Sequence, residues 1–269
     1  MSFIIPSSLK HKDGKTIRDV LRGVKAVFLT AMVFAALYGC STTEELVHGR
    51  VPPKELYGKA VSAHVSEQYE DAEKLYKELM EQHPLDPLAV EALLMLGDVY
   101  YSTGKFDDAA SYYTNFTAMH PRHPMAGYAL FQKGMSHFKE ILSVDRDQTS
   151  TKKALFAFED LVAGYQGSIY TGKAREMSIF LKHRLAEREF YIADFYFNGD
   201  NYKGALARLR DILKNYPDAG ISDKTLYYIG ESYGHLGEKR LAKEAYTALV
   251  ANYPESPFAG DARGRLKDI

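Results

Sequence analysis

The sequence lacks features on which several classes of protein depend. It contains no tryptophan and only one cysteine, so no disulfide can form within the chain. Its formal net charge of -1 gives no electrostatic reason to expect DNA or RNA as a partner. It has no glycine-rich loop of the kind that cradles phosphate groups. What remains is a chain of 269 residues, 46% of them apolar, which is enough to bury an elongated core.

Long apolar runs are also scarce, and the uncharged run of residues 26–37 follows a basic segment. A run of this length is too short to span a bilayer, which needs roughly 20 residues. We therefore expect an export signal over residues 1–39. It ends in Leu37-Tyr38-Gly39-Cys40, which resembles a bacterial lipobox. Cys40 is the predicted lipidation site, residues 40–53 read as a tether, and Ser41 favours the periplasmic face of the outer membrane as the destination.

What the sequence does have is one spacing that occurs five times. A small residue is followed by bulky apolar residues four and seven positions later and by a turn residue at position twelve. Steps of four and three keep these side chains on one face of a helix, and a proline beyond them ends the helix. The five sets are Ala72, Tyr76, Leu79 and Pro84; Ala109, Tyr113, Phe116 and Pro121; Ala154, Phe158, Leu161 and Gln166; Ala205, Leu209, Ile212 and Pro217; and Ala242, Tyr246, Leu249 and Pro254.

In four of the five units, a second small residue lies twelve positions before the first one, where the first helix of a helix pair is expected. These residues are Ala60, Gly97, Ala193 and Gly230. Together the two helices reproduce the tetratricopeptide signature. We therefore predict an all-α fold, a right-handed superhelix of five tetratricopeptide-type helix pairs, whose concave groove binds proteins. The third unit departs from this spacing, because twenty positions separate Gly134 from Ala154, and an insertion is expected at residues 143–152.

The insertion and the repeats around it resemble one family. The motifs are Asp145-Arg146-Asp147-Gln148-Thr149, Leu185-Ala186-x-x-Glu189 with Ile192-Ala193-x-Phe195-Tyr196, and Asn215-Tyr216-Pro217-Asp218. They are similar to the BamD (ComL) family, lipoprotein subunits of the outer-membrane β-barrel assembly machinery. The resemblance implies a scaffold without a catalytic step or cofactor. Its implied partners are the periplasmic (POTRA) domains of BamA, other lipoproteins of the complex, unfolded outer-membrane β-barrel proteins and, through the lipid, the membrane.

Two binding regions follow from this resemblance. The N-terminal repeats, residues 54–142, are expected to receive unfolded substrates in an aromatic groove, and the C-terminal part, residues 143–269, to dock on BamA. Groove positions of tetratricopeptide first helices fall on Tyr57, His64, Tyr101, Tyr128, Phe131 and Phe138. The alternative interpretation is that some of these rings pack between helices and do not line the groove. Arg208 matches a family arginine associated with the BamA contact, although it can equally lie along its own helix.

The charged residues of the insertion have two interpretations. Asp145, Arg146 and Asp147 are candidate partner-binding residues. Aspartate near a helix start commonly caps that helix, and intramolecular capping and ion pairing are the favoured interpretation of these three side chains.

Other chemical signals are weak by comparison. Residues 230–234 match G-x-S-x-G, but a nucleophile elbow needs a strand before it, and here the motif lies in a repeat helix. Glu231 and Ser232 also resemble the acid motif of lytic transglycosylases, which carry a separate catalytic domain. His120 and His123 lack further metal ligands nearby in sequence, so no metal site is predicted. The alternatives that stay open are another tetratricopeptide envelope lipoprotein, such as a pilotin or a cell-wall synthesis coordinator, and, more distantly, a hydrolase.

Overall fold

The computed structural model describes residues 50–269, and within this range all regular secondary structure is helical. Residues 53–269 form one compact unit. Its helices are α1 (Pro53–Val65), α2 (Tyr69–Gln82), α3 (Pro87–Ser102), α4 (Phe106–Met119), α5 (Ala126–Lys139), α6 (Thr149–Gly164), α7 (Thr171–Asn198), α8 (Tyr202–Asn215), α9 (Ser222–His235), α10 (Lys239–Asn252) and α11 (Ala259–Asp268). Between residues 50 and 269, no helix combines the length and apolar character needed to cross a bilayer.

The three-residue face predicted for each second helix is buried in all five pairs. In α2, Ala72, Tyr76 and Leu79 are each fully buried. The corresponding residues are also buried in the other four: Ala109, Tyr113 and Phe116; Ala154, Phe158 and Leu161; Ala205, Leu209 and Ile212; and Ala242, Tyr246 and Leu249. The spacing therefore identified the core of the repeats correctly.

The second helices end where the turn residues predict. The helices α2, α4, α8 and α10 each end two residues before their proline. The helix α6 ends at the same position before Gln166, and its cap is made in the same way, by the Tyr165 N–H donating to the Leu161 oxygen at 2.9 Å. The stop is thus built by the backbone turn, and proline reinforces it without being required.

Each helix packs against the helix before it and the helix after it, and α1 also contacts α3. The helices pair as α1/α2, α3/α4, α5/α6, α7/α8 and α9/α10, while α11 packs on α10. This nearest-neighbour arrangement is that of a tetratricopeptide-type helical superhelix and confirms the predicted fold class.

The small residues of the first helices have a specific function in packing. A Cβ added to Gly97 would lie 2.6 Å from the ring of Tyr113, and one added to Gly230 would lie 2.4 Å from the ring of Tyr246. In the third pair, Gly134 stands in the same relation to Phe158 at 2.6 Å. In these three pairs the glycine makes room for the ring four positions after the small residue of the second helix, so the two helices pack with an aromatic ring on a glycine.

The insertion of the third pair is divided between a loop and a helix. The loop runs over residues 140–148, where the other four pairs have three-residue loops, and α6 begins five residues before Ala154, whereas α2 begins three residues before Ala72. The following helix, α7, is also longer than a repeat requires, with 28 residues. Its first half, which the repeat spacing did not predict, buries Ala174, Ser178 and Leu181.

Candidate functional site

The six predicted groove residues lie on the first helices of the first three pairs. Tyr57 and His64 are on α1, Tyr101 is on α3, and the other three are on α5. All six side chains are half-buried. Half-burial leaves a ring edge available to a partner while part of each ring packs inside the protein.

Every one of these rings also contacts a ring from a neighbouring element. Tyr57 and His64 both pack edge-on against Tyr76, with ring centroids 6.1 and 6.3 Å apart. The remaining pairs are Tyr101 with Phe106 at 5.4 Å, Tyr128 with Tyr170 at 5.6 Å, Phe131 stacked on Tyr170 at 5.2 Å, and Phe138 with Phe180 at 5.9 Å. Interhelix packing and exposure are therefore combined in the same residues. We refer to the six as the ring strip.

A half-buried carboxylate lies beside the ring strip. Asp98 Oδ1 accepts hydrogen bonds from the hydroxyls of Tyr113, at 2.6 Å, and Tyr128, at 2.8 Å. Burial raises the pKa of Asp98, and the two hydroxyls partly offset that effect. At the other end of the strip, burial and a hydrogen bond with Glu91 raise the pKa of Tyr57 to about 12. Tyr57 is therefore neutral at physiological pH.

Sequence reasoning missed a continuation of the strip into the C-terminal half. Phe190, Phe197 and Tyr227 occupy the same repeat positions on α7 and α9 as members of the ring strip. The Lys224 ammonium lies 3.7 Å from the centroid of the Phe190 ring, a cation–π contact. The same counting rule applied to the last two pairs would have found these rings.

The two aspartates of the charged motif in the insertion form hydrogen bonds within the chain. Asp147 accepts from the Thr149 N–H at 2.9 Å and from its hydroxyl at 3.1 Å, which anchors the start of α6. Asp145 accepts from the Ser143 hydroxyl. Both carboxyl pKa values lie below the ordinary aspartate value because of these hydrogen bonds. Arg146 is exposed on the same loop.

Gln148 organises this loop, although sequence reasoning assigned it no function. Its side chain is buried and donates to the backbone oxygens of Ser143, at 2.9 Å, and Arg146, at 3.0 Å. Its carbonyl oxygen accepts from the Thr151 hydroxyl at 2.9 Å. A buried amide that bonds at both ends holds the loop in one conformation and leaves Arg146 outward.

Arg208, the predicted docking arginine, forms an ion pair within its own chain. Its Nη1 lies 3.2 Å from Glu189 Oε2 on α7. The arginine side chain is 41% exposed and the glutamate 25% exposed. An ion pair this accessible to water contributes little to stability, about 0–1 kcal/mol. The guanidinium therefore remains accessible to a second carboxylate.

The residues of the dismissed chemical motifs are accounted for by packing. Ser232 is fully buried in α9, and its hydroxyl donates to the Tyr228 oxygen at 2.7 Å. His120 and His123 both pack on the Phe116 ring, at 5.7 and 5.1 Å. Cys40, the signal segment 1–39 and the tether up to residue 49 lie outside the described residues.

The repeated helix pairs, with an aromatic ring lying on Gly97, Gly134 and Gly230, define a tetratricopeptide-type repeat protein. Residues 50–248 match the family model YfiO, described as outer membrane lipoprotein. Because this match spans most of the chain, the chain belongs to that family, of which proteins named BamD are members.

Three relatives carry the name outer membrane protein assembly factor BamD. The one from Caulobacter vibrioides is 26% identical over 253 residues, covering 93% of this chain and 83% of the relative. The Vibrio cholerae protein is 28% identical over 216 residues, covering 77% and 89%. The Neisseria meningitidis serogroup A protein is 28% identical over 250 residues, covering 87% and 94%. The similarity thus extends over nearly the whole length of each relative.

Solved structures similar to this chain include the following two. The TPR2AB domain of yeast Sti1, in complex with pHSP90, has a TM-score of 0.44 and 13% identity, with 80% of this chain and 82% of that chain covered. PilW, a type IV pilus biogenesis factor, has a TM-score of 0.34 and 14% identity, with 93% of each chain covered.

Proposed function

We propose that this protein is the periplasm-facing lipoprotein subunit of the β-barrel assembly machinery, where it scaffolds the insertion of outer-membrane β-barrel proteins. The observation that carries the proposal is the family match over residues 50–248, together with relatives named outer membrane protein assembly factor that align over nearly their full length. The protein acts by binding other proteins and does not make or break bonds. Its partners are the POTRA domains of BamA, the other lipoproteins of the complex and unfolded barrel proteins, and Cys40 carries the lipid anchor.

Affinity purification from solubilised outer membrane tests location and partner together. The tagged chain should co-purify with BamA and the other lipoproteins of the complex. Cys40→Ala should leave the membrane fraction, since the remaining apolar run is too short to anchor the chain. Recovery without any BamA, or unchanged membrane attachment of Cys40→Ala, would contradict the proposal.

Arg208 is proposed to exchange its internal partner, Glu189, for a carboxylate of BamA. Guanidinium groups bind carboxylates through two parallel hydrogen bonds, and the exposed ion pair with Glu189 is weak enough to be replaced. Arg208→Glu should therefore weaken binding to purified POTRA domains at least tenfold. The double variant Arg208→Glu/Glu189→Arg restores opposite charges within the chain. If the double variant also restored full affinity, Arg208 would act only through the fold of its own chain.

The ring strip is proposed to hold an extended segment of an unfolded barrel protein. Aromatic side chains of such a segment would stack on the exposed ring edges. A photo-crosslinking residue placed at Tyr101 should capture a synthetic peptide with alternating aromatic residues. The same residue at Tyr112 is the control, because Tyr112 lies on α4 of the same pair and stacks on Tyr100 at 5.0 Å. Equal capture at both positions would remove the strip from peptide binding.

A further inference from the structure

Three potential metal ligands meet where α4, α5 and the inserted loop come together. Asp107 is in the first turn of α4, His137 is in the last turn of α5, and Glu140 is the first residue of the loop. The ligand atoms of all three lie within 4.8 Å of one another. The His137 Nδ1 and the Glu140 Oε2 are 3.9 Å apart. No other group of three such residues in the range 50–269 meets the same distance criterion.

A second, independent observation is that the His137 imidazole is buried without a partner. The residue is 7% exposed, and its Nδ1 makes no hydrogen bond. An unsatisfied buried nitrogen costs about 1–3 kcal/mol. This nitrogen lies 3.9 Å from Glu140 Oε2, so a ligand placed between the two atoms would satisfy it.

The two carboxylates are also held unfavourably close. The Asp107 and Glu140 carboxylates belong to the same cluster, in which the potential ligand atoms lie within 4.8 Å of one another. Like charges at short range disfavour each other unless a proton or a cation lies between them. A cation placed between the three side chains would offset the repulsion of the carboxylates and accept the electron pair of the imidazole nitrogen.

We propose that Asp107, His137 and Glu140 bind a divalent transition metal ion, with Zn²⁺ as the best match. One imidazole nitrogen with two carboxylate oxygens is a donor set that suits zinc. Neighbouring ligand atoms of a tetrahedral zinc site are about 3.3–3.5 Å apart, so the present spacing must contract by roughly one ångström. Asp107 is exposed, so its carboxylate is free to make this adjustment.

The fourth coordination position would face a surface depression of about 520 Å³. Asp107 and His137 line this depression together with Ser111, Asn115, Lys133 and Lys153. The two ammonium groups oppose a cation, so we expect micromolar and not nanomolar affinity. The metal would join α4 to the first residue of the insertion, and would thereby fix the segment in which this fold departs from regular repeats.

The test is calorimetric titration of the full-length chain in detergent with ZnCl₂ at pH 7.5. One ion should bind with micromolar affinity, and Asp107→Asn should weaken binding at least tenfold. Asp108→Asn is the matched control, because it removes the same charge from the next position of the same helix. Absence of binding to the wild-type chain, or equal affinity of Asp107→Asn and Asp108→Asn, would overturn the proposal.

Two further measurements locate the ion. Co²⁺ in place of Zn²⁺ should give visible absorption of a four- or five-coordinate site, and Asp107→Asn should abolish it. Lys153→Gln should tighten Zn²⁺ binding severalfold, because it removes a positive charge from the same depression. An octahedral Co²⁺ spectrum, or no change with Lys153→Gln, would place the ion elsewhere and contradict the assignment.

Discussion

Two carboxylates at the same repeat position, one in the second helix pair and one in the fifth, have different environments. Asp98 and Glu231 each follow the glycine of a first helix. Each accepts a hydrogen bond at 2.6 Å from the tyrosine of its own second helix, Tyr113 and Tyr246 respectively. The second and fifth pairs therefore share this hydrogen bond between their two helices.

The difference lies in what the next helix contributes. Asp98 accepts from the Tyr128 hydroxyl of α5, which is a neutral donor. Glu231 instead forms an ion pair with Arg265 of α11. The Arg265 Nε and Nη2 donate to Glu231 Oε1 and Oε2, each at 2.8 Å. An internal repeat can hold a half-buried carboxylate with hydroxyl donors, whereas the last repeat uses a bidentate ion pair to attach its capping helix.

The largest effect is expected from filling the glycine positions that both pairs share. Gly230→Ala places a Cβ 2.4 Å from the Tyr246 ring, and Gly97→Ala places one 2.6 Å from the Tyr113 ring. Overpacking of this kind should lower the free energy of unfolding by about 1–3 kcal/mol. Gly234→Ala is the control, because its Cβ meets nothing within 4 Å, and it should stabilise α9 by about 0.5–1 kcal/mol. Urea unfolding measures all three, and destabilisation by Gly234→Ala would show that ring contact is not the cause.

The next effect distinguishes the two carboxylates directly. Glu231→Gln removes the charge that Arg265 pairs with, and should cost about 1–2 kcal/mol, reduced by the partial exposure of the arginine. Asp98→Asn retains an oxygen that both tyrosine hydroxyls can donate to, so it should cost less. Thermal unfolding at neutral pH compares the variants. An equal or larger loss for Asp98→Asn would mean that its charge matters as much as that of Glu231.

The pH dependence of stability tests the environment of Asp98. Because burial raises the pKa of Asp98 above its ordinary value of 3.8, the folded state holds this proton more tightly than the unfolded chain. The stabilisation from this group is complete below the unfolded pKa and is lost as pH rises through the folded pKa. The cost of Asp98→Asn should therefore shrink between pH 3 and pH 7. Unfolding free energies of both proteins across this range check the slope, and a cost that grew with pH would reverse the assignment.

The sequence predicts the repeats well because their signal is local. The buried faces and the stops before proline follow from residues that are at most twelve positions apart. The first half of α7 was missed because it does not contain the repeat spacing, and because it is stabilised by packing against other helices. Arg265 was missed as well, because it meets Glu231 across 34 positions of sequence. Arg208 matched a family position, but no local pattern indicated Glu189 as its internal partner.

The smallest expected effect concerns the three-residue loops within the pairs. The middle residue of each has a positive φ: Gly104 and Gly237 in the second and fifth pairs, but Glu67 and Asp200, both at 59°, in the first and fourth. Side chains with a Cβ are strained in this conformation, and glycine is not. Glu67→Gly should therefore raise the free energy of unfolding, by about 0.5–1 kcal/mol at most, since glycine also gains entropy in the unfolded chain. Asp200→Gly should gain less, because Asp200 accepts a hydrogen bond from the Tyr202 hydroxyl at 2.6 Å. Denaturant midpoints of the two variants test the order, and a larger gain from Asp200→Gly would show that this hydrogen bond contributes nothing.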